Sequence, residues 1–358
     1  MVALLAATAA AGPAATDGVG SRATAAGAGK LGDAQLAGQR IVTGFEGRQA
    51  PDSLKERIRA GRLAGVILFS ENFDTAEQAR RLVADLQAIP RPHGLRSPLL
   101  VMIDQEGGQV KRLPGAPSRS AEEMGRAGRD ACRGEGAATG RNLRGVGVNV
   151  DLAPVLDVAR PGSAIEREDR AFGRKPQKVS GCANAFARGL DRERVAPTAK
   201  HFPGIGAASV NTDDAVQRIR LRRSKLRRTD ERPYRRFVGK GAPGRLVMVS
   251  SAIYPAFSDR PASFARALAT RELRGRLEFE GVSITDALNS ASARAFGGPA
   301  RVARLAADAG TDLLLFADFG SAKQAANALR DRLDHGGANR DRFKRSVGRV
   351  LHLRRGLG

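Results

Sequence analysis

The chain has 358 residues, of which 42% are hydrophobic and 4% aromatic, with 42 glycines and no tryptophan. This composition excludes fibrous and disordered proteins, and the length accommodates one large α/β domain or two ordinary ones. The formal net charge of +23 favours attraction to anionic envelope polymers, but no nucleic-acid motif or aromatic platform accompanies the scattered arginines, so no specific nucleic-acid partner is predicted.

The chain begins with an Ala/Gly-rich segment over residues 1–32, whose first 11 residues are almost all apolar or small. This segment resembles the apolar part of a secretion signal, although no basic stretch precedes it. A signal remnant would indicate a secreted or envelope protein, whereas a flexible tail would leave a cytoplasmic location open. No later stretch is long and apolar enough to predict a transmembrane segment.

From Leu36 onward, short apolar runs alternate with longer segments of helical period. The predicted strands cover residues 41–45, 65–69, 99–103, 147–152, 195–201, 246–250, 281–285 and 312–316. The predicted helices cover residues 50–60, 75–88, 121–143, 178–190, 229–240, 268–277, 300–309 and 321–335.

Roughly eight strand-then-helix units predict a (β/α)8 TIM barrel that forms a single catalytic domain over residues 33–358. An open doubly wound sheet is the alternative. No Gly-x-Gly-x-x-Gly turn opens a helix after the first strand, so a dinucleotide site has little support.

Cys132 and Cys182 are the only cysteines of the sequence, which excludes a multi-cysteine zinc site or a disulfide scaffold. A disulfide between them is open if the protein is exported, but we expect two unpaired buried thiols. No group of His, Cys and carboxylate residues has metal-ligand spacing, so the sequence predicts neither a metal nor a cofactor.

Charged residues recur where the predicted strands end. Asp104 follows one strand, Asp151 lies near the end of another, Lys200 and His201 finish a third, and Asp286 follows a fourth. The carboxyl ends of parallel barrel strands share one face, so four such strand ends favour a common site. For any single Asp, the alternative is an ordinary helix N-cap.

Five sequence blocks in chain order resemble the family 3 glycoside hydrolases, and most closely their single-domain bacterial β-N-acetylglucosaminidases. The blocks are Ile-Asp-Gln-Glu-Gly-Gly-Gln-Val-Lys-Arg-Leu at 103–113, Gly-Val-Asn-Val-Asp-Leu-Ala-Pro-Val-Leu-Asp-Val at 147–158, Arg-Ala-Phe-Gly at 170–173, Lys-His-Phe-Pro-Gly at 200–204 and Ile-Thr-Asp-Ala-Leu at 284–288. The resemblance implies a (β/α)8 barrel, in agreement with the strand count.

The resemblance also implies residue roles. Asp286 matches the family's catalytic nucleophile, which attacks the anomeric carbon in a retaining mechanism. Asn149 and Asp151 match less securely and are expected to serve barrel packing and loop anchoring. Five residues match positions that bind the hydroxyls of the terminal sugar: Asp104, Arg112, Arg170, Lys200 and His201.

The sequence departs from this family branch in the loop after Lys-His-Phe-Pro-Gly. The branch has an Asp-Ser-His unit there, whose histidine is the general acid/base, whereas this chain has Asn211-Thr212-Asp213 and no histidine in the loop. Either Asp213 or its neighbour Asp214 supplies the proton, or another loop or a partner supplies it, or catalysis is impaired. The remaining histidines are predicted to lie on the surface: His93, His335 and His352.

Together these observations predict a retaining glycoside hydrolase that releases terminal β-linked N-acetylglucosamine from cell-wall-derived glycans. Asp286 is the predicted nucleophile and Asp213 the acid/base candidate. The alternative is a catalytically impaired carbohydrate-binding protein at the cell envelope. Losing general acid catalysis typically costs about 10²–10⁴-fold in rate, so the nucleophile alone does not guarantee an efficient hydrolase.

Overall fold

The structure of the chain is a computed structural model that describes residues 28–239 and 244–358. Most of the Ala/Gly-rich segment, residues 1–27, lies outside the described residues. The end of that segment packs on the folded domain, because Ala28 and Leu31 are buried in its hydrophobic core. No helix in the described ranges is long and apolar enough to cross a bilayer.

Eight parallel strands form a nearly closed barrel, which confirms the predicted (β/α)8 fold. A parallel bridge between Ile284 and Leu313 joins the two end strands of the sheet. The strands follow the order β10-β1-β2-β3-β6-β7-β8-β9, and β4 and β5 form a separate antiparallel hairpin. Their bounds are β1 Ile41–Thr43, β2 Gly65–Ile67, β3 Leu100–Ile103, β4 Gln105–Gly107, β5 Val110–Lys111, β6 Val150–Asp151, β7 Ala196–Phe202, β8 Leu246–Val249, β9 Val282–Thr285 and β10 Leu314–Phe316.

Helices connect the strands and surround the barrel. The α-helices span Asp33–Gly38, Asp52–Arg59, Ala76–Ala88, Ala121–Ala127, Arg129–Gly145, Ala164–Arg167, Pro176–Arg192, Arg223–Lys225, Arg232–Phe237, Ala291–Arg294, Pro299–Ala309, Phe319–Asp334 and Arg340–Gly356. Short 3₁₀ helices cover Ser70–Asn72 and Ala262–Phe264, and π-helices cover Leu226–Asp230 and Ala267–Arg276.

Three helical segments differ from the prediction. The single helix predicted over 121–143 is two helices, because Gly128 adopts a φ of 98° that interrupts the helical backbone. The helix predicted over 229–240 begins only at Arg232, after the π-helical turn. The C-terminal helix Arg340–Gly356 was not predicted, and its buried face packs into the core through Phe343, Val347 and Leu351.

The hydrophobic core has two layers. Inward-facing residues of the strands, such as Val42, Met102 and Val282, form a cluster inside the barrel. Alternate strand residues, such as Val66 and Val101, face the helices and join a larger outer cluster. Because both faces of every strand are covered, the strands read as continuous apolar runs rather than as alternating ones.

The structure contradicts the expectation that Cys132 and Cys182 are unpaired. They form a disulfide with Cα atoms 5.3 Å apart, and no free cysteine remains in the chain. The reason is the close packing of helices Arg129–Gly145 and Pro176–Arg192: a Cβ on Gly136 would meet the carbonyl oxygen of Phe186 at 2.2 Å. Glycine therefore lets the two backbones approach closely enough for the thiols to meet.

Candidate active site

A cavity of about 430 Å³ lies at the carboxyl end of the barrel strands. Its floor is apolar, with Ile67, Leu152, Met248 and Leu315. The residues that the sequence predicted as a site all line this one cavity: Asp104, Arg112, Arg170, Lys200, His201, Asp213 and Asp286.

Strand ends deliver several of these side chains to the cavity. Asp104 directly follows β3, Asp286 directly follows β9, and Lys200 and His201 belong to β7. The Asp286 backbone N–H donates to the carbonyl of Val249 on the neighbouring strand at 3.1 Å. One carboxylate oxygen of Asp286 accepts a 2.9 Å hydrogen bond from the backbone N–H of Ala287. The residue is 9% exposed, so its carboxylate has a fixed position with limited access to solvent.

A buried network of charges holds Lys200 and Arg170. The Lys200 Nζ donates to Asp104 at 2.5 Å and to Glu106 at 2.7 Å. Glu106 accepts two further hydrogen bonds from the Arg170 guanidinium, at 2.8 and 2.9 Å. Arg170 also pairs with Glu168 at 2.9 Å. The bidentate pair fixes the guanidinium plane as well as its position.

The charges in this network stabilise one another. Burial by itself would raise the pKa of Glu106, but Arg170 and Lys200 hold that pKa well below its usual range. Burial disfavours the charged form of Lys200 as well, but Asp104 and Glu106 raise its pKa above the ordinary value. The cavity therefore presents fixed cations and carboxylates that can donate to and accept from the hydroxyl groups of a sugar.

His201 is oriented by Asp157, which is fully buried. The His201 Nδ1 lies 2.8 Å from one carboxylate oxygen of Asp157, and the other oxygen accepts from the backbone N–H of Ile205 at 2.7 Å. An ionised carboxylate only accepts hydrogen bonds, so Nδ1 carries the proton and Nε2 is left for a ligand. The peptide bonds Lys200-His201 and Phe202-Pro203 are cis.

Arg112 lies on the hairpin that follows β3. Its backbone N–H donates to the side chain of Gln105 at 3.0 Å, which ties the two ends of the hairpin together. Its Nε is buried and has no hydrogen-bond partner within residues 28–239 and 244–358. A buried donor without a partner is costly, so this guanidinium is suited to a ligand that brings an acceptor.

Asp213 belongs to a loop that is tied to the segment after Asp286. Its carbonyl oxygen accepts from the backbone N–H of Ala291 at 3.0 Å, and the Ser292 hydroxyl donates to the carbonyl of Ala215 at 2.7 Å. The Thr212 hydroxyl lies 3.5 Å from the Asp286 carboxylate. These contacts bring Asp213 and Asp286 to the same cavity although 73 positions separate them in the sequence.

The environment of Asp213 favours its protonated form. As a residue Asp213 is exposed, but it lines the cavity, where the surrounding protein desolvates its carboxyl group. This desolvation, followed by the negative charge of Asp286, raises the pKa of Asp213 from 3.8 to about 6. Asp214, the other acid that the sequence left open, is exposed and is not among the residues lining the cavity.

Asn149 and Asp151 connect neighbouring strands. The Asn149 side chain accepts from the backbone N–H of Val101 and donates to the carbonyl of Leu99, both at 2.9 Å. Asp151 accepts from the backbone N–H of Gln105 at 3.1 Å, and burial raises its pKa well above the usual value. These contacts agree with the packing and anchoring roles expected of both residues.

Residues 33–353 match the family model described as "Glycosyl hydrolase family 3 N terminal domain". The chain belongs to glycosyl hydrolase family 3. A relative named "Uncharacterized secreted glycosyl hydrolase" from Arthroderma benhamiae is 36% identical over 335 residues, covering 88% of this chain and 92% of that protein. A "Beta-hexosaminidase" from Nitrosospira multiformis is 32% identical, with 77% of this chain and 79% of that protein covered.

Solved structures show the same family 3 barrel. A glycoside hydrolase family 3 β-N-acetylglucosaminidase from Paenibacillus sp. str. FPU-7 superposes with a TM-score of 0.86 at 32% identity, covering 91% of this chain. This chain spans 63% of the length of that protein. Family membership and these relatives identify the chain as a glycosidase.

Two residues of this family 3 site were not predicted from the sequence. Glu106 joins Lys200 to Arg170, and Asp157 orients His201. Both lie inside recognised blocks, at the fourth residue of 103–113 and the eleventh of 147–158. Neither stands directly after a strand, so the strand-end rule did not select them. For Glu106, its place in a block that also supplies the cation Arg112 was the available signal, whereas the block that contains Asp157 has no cation.

The three histidines other than His201 do not line this cavity. His93, His335 and His352 are exposed, as predicted. No group of three or more His, Cys, Asp or Glu residues is placed to hold a metal ion in the part of the chain that the structure describes.

Proposed function

We propose that this protein is a retaining β-N-acetylhexosaminidase in which Asp286 is the nucleophile and Asp213 is the general acid/base. The observation that carries the proposal is the meeting of two carboxyl groups with different surroundings in one cavity. Asp286 is fixed by the N–H of Ala287, and the pKa of Asp213 is raised to about 6. Paired carboxyl groups with different environments are typical of retaining glycosidases.

Asp286 attacks the anomeric carbon of the terminal sugar from the floor of the cavity. The new bond is between a carboxylate oxygen and that carbon, and the bond to the leaving oxygen breaks. Asp213, protonated at the start, gives its proton to the leaving oxygen. In the second half of the cycle Asp213 takes a proton from water, which attacks the same carbon and releases Asp286.

The sugar is held by the residues around the two carboxyl groups. Asp104 and the His201 Nε2 accept hydrogen bonds from ring hydroxyls, while Arg112, Arg170 and Lys200 donate. The support is their common cavity and the charged network that fixes them before any substrate arrives. Such preorganisation helps the reacting carbon to lie at the correct distance from Asp286.

N-acetylglucosamine is the proposed sugar, and glycans derived from the cell wall are the proposed source. The support for the sugar is the similarity to a "Beta-hexosaminidase" and to a β-N-acetylglucosaminidase structure. We further propose that the protein is exported. A disulfide is typical of proteins in oxidising compartments, and the Arthroderma benhamiae relative is named as secreted.

The test compares Asp213→Ala with its neighbour Asp214→Ala on 4-nitrophenyl N-acetyl-β-glucosaminide. This substrate has a leaving group that needs little protonation, so Asp213→Ala should still form the glycosyl-enzyme but hydrolyse it slowly. Added azide should then restore turnover and yield the β-glycosyl azide. Asp214→Ala should turn over the substrate at the wild-type rate, and azide should not change that rate. Asp286→Asn should abolish turnover with or without azide.

Three results would count against the proposal. An Asp213→Ala variant with wild-type turnover of a poor leaving group would remove Asp213 from the role of acid. Persistent turnover by Asp286→Asn would remove the nucleophile. Sugar binding by calorimetry with no cleavage of any nitrophenyl glycoside would favour the carbohydrate-binding alternative.

A further inference from the structure

A second cavity, of about 510 Å³, lies on the outer wall of the barrel. We call it the arginine cavity. One side is the first turns of helix Pro176–Arg192, and the other is the segment around helix Arg232–Phe237. The residues lining it are Gln177, Ser180, Gly181, Arg227, Arg228, Arg232, Arg235 and Arg236.

Among residues 28–239 and 244–358, no carboxylate lines the arginine cavity, and only one of its five arginines has an acidic partner. Arg227 makes two hydrogen bonds of 2.8 Å to Glu272. The other four have no ion pair with any described residue, and all four are exposed: Arg228, Arg232, Arg235 and Arg236.

Some arginines elsewhere on the surface have an acidic partner within the described residues, and others do not. Arg80 pairs with Glu77, and Arg126 pairs with Glu122 one helical turn away. Exposed guanidinium groups are tolerated in water without a partner, but four of them within nine residues of chain repel one another. The arginine cavity thus brings four exposed guanidinium groups to one concave surface.

The positive charge continues along the adjoining helix. Arg188 lies two turns beyond Ser180 on the same helix, and its pKa is lowered by desolvation and then by four neighbouring guanidinium groups. One of these neighbours is Arg236 of the arginine cavity itself. A row of cations of this length matches a chain of anionic groups better than a single small anion.

The lining also indicates the chemistry of the chain that it would accept. Arginine forks match the oxygen atoms of phosphate groups. Gln177 and Ser180 add a neutral amide and a hydroxyl, which suit the hydroxyl groups of sugars or polyols. No aromatic side chain of the described residues lines the cavity, so these residues offer no platform on which nucleic-acid bases would stack.

We propose that the arginine cavity binds a linear polymer of sugar or polyol phosphates and holds the protein on an anionic glycan surface. Gln177 follows Arg170 of the catalytic cavity by seven residues, so the two cavities are separated by no more than about 25 Å. A bound polymer would therefore keep the barrel mouth near the glycans of the same surface. This inference does not depend on the proposed cleavage activity.

The experiment measures the affinity of the full chain for fluorescently labelled glycerol phosphate polymer by anisotropy over a series of NaCl concentrations. One variant carries four substitutions in the cavity: Arg228→Gln, Arg232→Gln, Arg235→Gln and Arg236→Gln. A matched control loses the same charge at four other exposed arginines without an ion pair among the described residues: Arg59→Gln, Arg271→Gln, Arg301→Gln and Arg345→Gln.

The cavity variant should bind about tenfold or more weakly, and its slope of log affinity against log salt should fall by about 3, since each phosphate contact contributes about 0.7. The control should stay close to the wild type. Both should keep the wild-type Tm, which shows that they fold whether or not the protein cleaves a glycoside. Equal weakening in both variants, or no binding by the wild type, would overturn the proposal. Single-stranded DNA that binds tenfold more tightly at equal phosphate number would show a nucleic-acid site instead.

Discussion

At the scale of single residues, the surroundings of Glu106 and Asp213 shift the pKa values of their carboxyl groups in opposite directions. Glu106 lies between two cations, which keep its pKa well below the usual range despite its burial. Asp213 is desolvated and faces Asp286, and its pKa rises to about 6. One carboxyl is therefore a permanent anion that positions donors, while the other can exchange a proton near neutral pH.

The pH dependence of turnover should report Asp213. For a glycoside with a poor leaving group, kcat/KM should fall as pH rises through about 6, because the acid must be protonated in the free enzyme. The Asp213→Asn variant should lose this alkaline limb together with about 10²–10⁴-fold in rate. Initial rates over a pH series measure this, and an unchanged limb in the variant would assign it to another group.

Glu106→Gln should destabilise the protein by about 3 kcal/mol or more, because it leaves Arg170 and Lys200 buried with less opposing charge. The pKa of Glu106 is depressed in the folded state, so its stabilising effect is present above its ordinary pKa of 4.5 and is lost as pH falls below that value. Urea unfolding at pH 7 and at lower pH measures the difference.

The control for this variant is Glu168→Gln. Glu168 also pairs with Arg170, but its side chain is 29% exposed, and the described ion partners of Lys200 are Asp104 and Glu106 instead. We expect a loss of about 1 kcal/mol or less. Equal losses of unfolding free energy in the two variants would show that Glu106 stabilises the network no more than Glu168 does.

The sequence alone predicted those site residues that lie at the ends of strands. Asp104, Lys200, His201 and Asp286 follow from the rule that parallel strands end at one face. The roles of Glu106 and Asp157 could not be predicted in the same way, because they depend on contacts across 64 and 44 positions of the chain. Such contacts are set by how loops cross the barrel mouth, which local sequence patterns do not record.

At the scale of elements, the loop from Pro203 to Asp213 determines whether the acid meets the nucleophile. Gly206 makes this possible, since a Cβ there would lie 2.0 Å from the carbonyl oxygen of Val158. The loop is therefore pressed against the segment after β6 before it crosses to Ala291. Backbone contact rather than side-chain packing sets its course.

Gly206→Ala should displace this loop and lower kcat on a substrate with a poor leaving group by about tenfold or more, since small displacements of catalytic groups are costly. The same substitution in an Asp213→Asn background should have little further effect if it acts through Asp213. Gly134→Ala is the matched control, because a Cβ there meets nothing within 4 Å. If the losses in kcat were additive in the double variant, Gly206→Ala would not act through Asp213.

Helix boundaries illustrate what the sequence pattern leaves open at this scale. The pattern over 121–143 has a helical period throughout, yet Gly128 turns the backbone and starts a second helix with Asp130 in its first turn. Periodicity records which residues face the core, and two helices that share a face give the same signal as one. The strands were easier to predict, since each is short and bounded by charged or turn residues.

At the scale of the whole molecule, the barrel is held by two apolar layers and by one covalent link between helices Arg129–Gly145 and Pro176–Arg192. The thiols were expected to be unpaired because the sequence does not show how closely two helices approach. Glycines at the contact, such as Gly136 and Gly189, were the available signal.

Replacing both cysteines with alanine should lower the free energy of unfolding by about 4 kcal/mol, the loop-closure value for a cross-link across 50 residues. Thermal unfolding of the double variant against the wild type measures this. Dithiothreitol should lower the Tm of the wild type but leave that of the variant unchanged. A wild type that is insensitive to the reductant under unfolding conditions would contradict a structural role for the link.

The hydrogen bond between Asp213 and Ala291 joins two backbone groups, so no side chain of the loop takes part in it. The three residues 211–213 can therefore be exchanged as a cassette, Asn211→Asp, Thr212→Ser and Asp213→His, without altering the anchor that aims them. The wild type and this variant would then differ only in whether an aspartate or a histidine is the general acid/base. Any difference in which acceptor takes the glycosyl group would be due to that residue.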